Sequence, residues 1–347
     1  MQASHLSMNT QNRRQDLDIA RGIAIICIVL GHLGSAEINR FVFTFHVTIF
    51  YLLSGYLLKE KDSLKVYLRK RSRSLLAPYV VTCCVIIVLA VLLNSCVGSP
   101  KPVRDVLLRW VGASLYGAGD NYSEPFVIHG IGAIWFLWSI FWAGLFMQII
   151  LKRPVSIRLV LVGVLFLFSN LSRKWFWFPL SIQAGGTAVL FLYLGYLGKE
   201  IVPAFHGLRK EIRAALMTGA FWIWIAFIRD FRSFWLVHCD CGRGVIDIAG
   251  SICACCCVIK ISGLIGKTGG AAAKGLAYLG RFSLLVLCMH MIELDIFPWY
   301  KLEEALFGEL TGTWHLIFLI IVKFLWIIPM TIVCEKWRVT RRLFGYS

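Results

Sequence analysis

Charge is scarce in this chain. Only 16% of its residues are Asp, Glu, Lys or Arg, against about a quarter in a soluble domain. Polar stretches long enough to form a separate domain are missing too, the longest expected loop (98–130) being about thirty residues. Residues 1–17 are polar with no apolar core, so no cleavable leader is expected ahead of the first apolar run. The twelve cysteines make no disulfide framework, since most fall in apolar stretches where a thiol acts as a small apolar side chain. His238-Cys239-Asp240-Cys241 lacks a second ligand pair for a tetrahedral metal, and no metal is expected. Neither a nucleophile-elbow sequence nor an inverted repeat is evident.

What remains is hydrophobic: 58% of the chain, in recurrent runs near the ~20 residues that cross a bilayer. Ten spans are expected, at about 19–35, 41–58, 75–97, 131–151, 157–171, 182–202, 212–230, 244–266, 282–300 and 314–335. The expected class is all-α and polytopic, with tails at 1–17 and 336–347 around a transmembrane region, 18–335. Cytoplasmic termini put 23 of the 36 Lys and Arg residues on the cytoplasmic face and 10 on the other, as the positive-inside rule requires. The expected location is the inner (plasma) membrane. The net charge of +17 is thereby accounted for by short basic loops facing lipid, without nucleic acid.

Ionisable residues in spans are expensive, and they are functional candidates by default. The first segment carries two, Arg21 and His32. Eleven steps of 100° place them on one helix face, roughly 16 Å apart along the axis. A tight link then returns the chain through the second segment, bringing His46 to a depth like that of His32. Either the two imidazoles share a pocket or His46 bonds a backbone carbonyl. Ser54-Gly55 suggests close helix packing. The following run, with Arg69, Lys70, Arg71 and Arg73, predicts a basic amphipathic element along the cytoplasmic surface, suited either to anionic lipid or to phosphate groups. In the ninth and tenth spans, Glu293 and Lys323 would neutralise each other.

These pieces together resemble the membrane acyltransferase type 3 family, most closely its fucose O-acetylase-like polysaccharide acetyltransferases. The resemblance rests on Asp18-x-x-Arg21-Gly22, the Arg21/His32 spacing, and Phe45-His46-x-x-x-Phe50 leading to Leu53-Ser54-Gly55-Tyr56. Leu75-Leu76-x-Pro78-Tyr79, Trp135-Phe136-Leu137, and Leu279-Gly280-x-x-Ser283 through His290 complete it. The chain departs from the pattern at Ser74 and Leu287, where an arginine and a tyrosine are usual.

The resemblance implies transfer of an acyl group, usually acetyl from acetyl-CoA, to a sugar hydroxyl. On that reading the catalytic group is His32, Arg21 and His46, with His32 as general base. Arg69, Lys70, Arg71 and Arg73 hold the phosphates of the donor, with Arg21 contributing. Ser54, Tyr56, Trp135, Ser283 and His290 line the acceptor site. The partners are acyl-CoA, a cell-surface or lipid-linked carbohydrate, and membrane lipid. The alternative is a transporter or flippase for a glycan or anionic small molecule.

Overall fold

The computed structural model describes residues 2–59, 63–94, 101–124 and 126–344, with side chains from residue 15 onward. Residues 60–62 of the basic run and 95–97 of the third expected span lie outside that set. In chain order the first helices are α1 (Gln2–Leu30), α2 (Ala36–Val42), α3 (Thr48–Tyr56), α4 (Leu64–Arg71) and α5 (Ala77–Asn94), with a π-helical turn (Ser72–Leu76) joining the last two. Next come α6 (Val103–Tyr116), α7 (Trp135–Ile150), α8 (Val155–Ser172), α9 (Ile182–Gly207), α10 (Lys210–Arg229) and α11 (Val245–Thr268). The chain closes with α12 (Ala271–Arg281), α13 (Ser283–Ile296), α14 (Trp299–Phe307), α15 (Gly312–Lys336) and α16 (Arg338–Leu343). The described residues contain no strand, only one isolated bridge between Tyr122 and Ile128.

The protein is an all-α polytopic membrane protein. Among the described residues seven helical stretches are long and apolar enough to cross a bilayer, or up to eight if the bent pair α12 and α13 counts as one span. The first two expected spans differ from this pattern for physical reasons. Helix α1 ends at Leu30, so its apolar part from Ile19 covers only roughly 18 Å, short of the ~30 Å hydrocarbon core. The second is broken at residues 43–47, which form turns between α2 and α3. The basic run is not a separate surface helix: α4, the π turn and α5 form one helical stretch, Leu64–Asn94. Loop 98–130 also carries a helix, α6, and the polar tail is helical from Gln2.

The chain divides into two compact units. Unit one comprises Met1–Lys59, Ala188–Leu236 and Asp240–Ser283. Its helices approach closely through reciprocal glycines. A Cβ on Gly22 would sit 2.0 Å from the Leu276 carbonyl oxygen, and one on Gly280 would sit 1.7 Å from that of Asp18. Gly55 and Gly195 lock α3 to α9 in the same way, against the carbonyls of Leu192 and Leu52. Small residues that bring backbones together drive helix association where lipid removes the hydrophobic effect.

Unit two comprises Glu60–Thr187, Val237–Cys239 and Leu284–Ser347. Tyr67 of α4 is buried, and its hydroxyl donates to the Phe141 carbonyl at 3.4 Å. Tyr79 of α5 donates to the Ser114 carbonyl at 2.7 Å, fixing α6. Trp138 and Trp142 stack along α7, with ring centroids 6.5 Å apart. The Trp142 indole donates to the Leu180 carbonyl at 3.1 Å, so this row packs against protein rather than serving only as an interfacial belt.

Candidate active site

Unit one contains the two histidines of the first segments. His32 lies two residues beyond the end of α1, in a turn, and its side chain is exposed. The expected helical phase with Arg21 is therefore corrected, His32 lying beyond the end of the helix. The turn at 31–34, in which Gly34 adopts φ +76°, stops the helix before His32 is reached. His32 Nδ1–H donates to the Ile28 carbonyl at 2.8 Å, satisfying one of the orphan acceptors of the helix end. A carbonyl only accepts, so this bond fixes the tautomer: the neutral ring carries its basic lone pair on Nε2.

His46 repeats the arrangement on the broken second segment. Its Nδ1–H donates to the Val42 carbonyl at 2.8 Å, and its ring stacks on Phe43 with centroids 4.8 Å apart. The same Phe43 ring packs against Gly31, where a Cβ would lie 2.8 Å from it. The two imidazoles are near enough to interact electrostatically. Of the two alternatives left open for His46, the backbone-carbonyl bond is the one the structure shows.

Non-helical backbone in a membrane protein needs protein partners, and two helices supply them here. The buried Trp224 indole of α10 donates to Thr44 Oγ1 at 2.9 Å, and that hydroxyl donates to the Phe41 carbonyl at 2.7 Å. Ser251 of α11 donates to Thr48 Oγ1 at 2.9 Å. The Cys255 thiol, also on α11, reaches the Phe45 carbonyl at 3.9 Å. These residues position the turn that holds His46, and sequence reading assigned them nothing. The signal was present, as hydroxyls and an indole on otherwise apolar helices.

Arg21, half-buried, pairs with Asp18 at 3.5 Å. Ser54 and Tyr56 are half-buried on α3, and Ser283 is half-buried at the first position of α13.

Unit two holds the remaining candidates. Arg69 and Lys70 are exposed at the end of α4, while Arg71 lies over the Tyr67 ring, 5.8 Å from its centroid. Arg73 projects from the π turn, a distortion frequent at functional sites. Trp135 is buried at the start of α7 against Gly119 and Val237. His290 is wholly buried, and its Nδ1–H donates to Glu293 at 2.7 Å. Lys323 donates to both oxygens of the same carboxylate, at 3.0 and 3.1 Å, and the Trp299 indole donates to it as well. The expected Glu293–Lys323 pair is present, with His290 inside its network.

His238 is tied to Asp120, its Nε2 lying 3.1 Å from the carboxylate, and Arg173 donates to its carbonyl at 2.9 Å. Trp177 is buried with its ring stacked on Tyr122 at 4.3 Å. It therefore anchors the loop, whereas Trp175 stays exposed as a belt residue would. Burial pushes the Cys239 thiol up to about 12, which suppresses its thiolate. Among the described residues no group of three His, Cys, Asp or Glu side chains is placed to hold a metal.

An acyltransferase-domain family model matches residues 14–333, nearly the whole chain. No curated protein and no solved structure matches it. With the helical membrane architecture and the ordered motifs, that match gives the identification: this chain belongs to the type 3 membrane acyltransferase family.

Proposed function

We propose that the protein moves an acyl group, acetyl in the simplest case, from acyl-CoA to a hydroxyl of a cell-surface or lipid-linked carbohydrate. It would act in the inner membrane with both termini cytoplasmic, on a fucose O-acetylase-like pattern. His32 is the general base. Its Nε2 takes the hydroxyl proton as the alkoxide attacks the thioester carbonyl. The C–S bond then breaks, and the imidazolium returns a proton to the departing thiolate. Well-placed bases of this kind contribute about 10²–10⁴-fold, and donors to the oxyanion supply a few kcal/mol more. Ser54 and Tyr56 of unit one are the candidate donors, whereas His46, its proton on Nδ1, offers an acceptor at Nε2 and holds the site beside His32. Arg21, Arg69, Lys70, Arg71 and Arg73 are assigned to the phosphates of the donor, where guanidinium forks match phosphate oxygens. Trp135 and Ser283 are assigned to the acceptor, while His290, expected there from the resemblance, is taken up by the Glu293–Lys323 network.

The observation that carries this reading is the His32 tautomer, held by the Ile28 carbonyl at 2.8 Å with the side chain exposed. The test incubates membranes with acetyl-labelled acetyl-CoA. Wild type should label glycan, and His32→Ala should not; equal labelling by both removes His32 from the chemistry. The break between α2 and α3 favours one other reading, since discontinuous helices also build transporter sites. Glycan flux without acylation in the same membranes would establish that reading instead.

A further inference from the structure

The end of the chain brings more guanidinium groups to the basic segment of unit two. A pocket of about 370 Å³ is lined by Arg73 and Ala77 on one side and by Arg338, Val339, Arg342 and Leu343 of α16 on the other. Arg338 and Arg342 are four residues apart, as are Val339 and Leu343, so α16 presents a cationic row beside an apolar one. None of the three lining arginines has a carboxylate at ion-pair distance among the described residues, whereas Arg341 between them faces Glu335 at 4.0 Å. No acidic side chain lines the pocket. Like charges gathered in this way repel, and a multivalent anion placed among them turns the repulsion into attraction.

We propose that this pocket binds a phosphate ester. Arg73, Arg338 and Arg342 hold its oxygens by forked hydrogen bonds. Its carbon portion lies against Ala77, Val339 and Leu343, the last two being exposed apolar side chains. Phosphate esters of this kind have two sources, the phosphorylated nucleotide of an acyl-CoA and the headgroup of an anionic phospholipid. The first source rests on the acyl-transfer reading above; the pocket chemistry does not.

The experiment uses the full chain in bilayer discs and reads binding, not turnover. In phosphatidylcholine discs the probes are coenzyme A and its 3′-dephospho form. In a second arm, discs doped with phosphatidylglycerol are compared with neutral ones by thermal unfolding. If the donor is the source, Arg338→Gln/Arg342→Gln weakens coenzyme A binding by about tenfold or more and erases any preference for the 3′-phosphate. If lipid is the source, coenzyme A binding is unchanged and the stabilisation by phosphatidylglycerol disappears. Either result supports the site. Arg338→Lys/Arg342→Lys keeps the charge but not the fork and should show a smaller loss; it carries the test should the glutamine variant not fold. Arg341→Gln should bind as wild type, and an equal loss there would reduce the effect to net charge and overturn the proposal. Wild-type behaviour of both double variants in both arms overturns it as well. His32→Ala should bind coenzyme A normally, so a failed transfer assay leaves this result readable.

Discussion

His32 and His290 look alike in the sequence, each an imidazole in an apolar run, but their surroundings differ in kind. His32 sits in a turn with its side chain exposed, its Nδ1–H donated to a neutral carbonyl. His290 is wholly buried against the Glu293 carboxylate, and Lys323 grips the same carboxylate. A ring bonded to a carbonyl can gain and lose a proton at Nε2 with little rearrangement around it. A ring inside a buried ion network cannot change charge without stranding its partners. The first arrangement suits proton transfer, and the second holds helices α13 and α15 together.

The comparison breaks most directly at His32. His32→Gln keeps a hydrogen-bonding side chain but supplies no base near neutral pH. Transfer should fall about 10²–10⁴-fold while the thermal midpoint stays near wild type. A large drop in midpoint with activity per folded molecule preserved would exchange the roles of the two histidines.

The reciprocal change is Lys323→Met. It leaves Glu293 buried without its cation, which should cost about 3–5 kcal/mol, read as a lowered midpoint in detergent. Glu293→Gln/Lys323→Met removes both charges and should recover much of that loss. If the double variant is no better than the single one, the carboxylate is not the stranded group and the network is not electrostatic.

Next in size is the seam between α1 and α12. Gly280→Ala would place a Cβ where the Asp18 carbonyl oxygen stands, 1.7 Å away, and backbone cannot step aside as a side-chain tip can. Overpacking of this kind costs about 1–3 kcal/mol. Because the turn that follows α1 carries His32, some activity should go with it. Gly275→Ala, on the same helix with nothing within 4 Å of its Cβ, should leave the midpoint unchanged or raise it.

Much of this was legible in the sequence for a definite reason. Helix α8 runs Val155–Ser172 and α15 runs Gly312–Lys336, close to the expected 157–171 and 314–335, because charged or turn-forming residues bound each apolar run. The Glu293–Lys323 pair was legible because two charges in lipid need each other. The break at 43–47 was not. Phe41 to Leu58 is uninterrupted in hydropathy, and the groups that make the turn tolerable, Trp224, Ser251 and Cys255, lie some two hundred residues away. Arg338 and Arg342 were hidden differently, since a basic tail following a span reads as a topology signal and nothing more.

The smallest expected effect concerns that break and separates support of the turn from chemistry. Thr44→Val is nearly isosteric but deprives the Trp224 indole of its acceptor inside the core, which should cost about 1–3 kcal/mol. Trp224→Phe removes the donor instead, at the expense of some packing. In Thr44→Val/Trp224→Phe no polar atom of the pair is left unsatisfied, so the cycle should be non-additive, the double variant losing less than the two single losses together. Transfer should weaken modestly in Thr44→Val and recover in part in the double variant, with the pH profile unchanged throughout, since neither side chain exchanges a proton with substrate. Strict additivity would mean that the two residues do not act on the turn through each other, and that His46 is held by the α11 contacts alone.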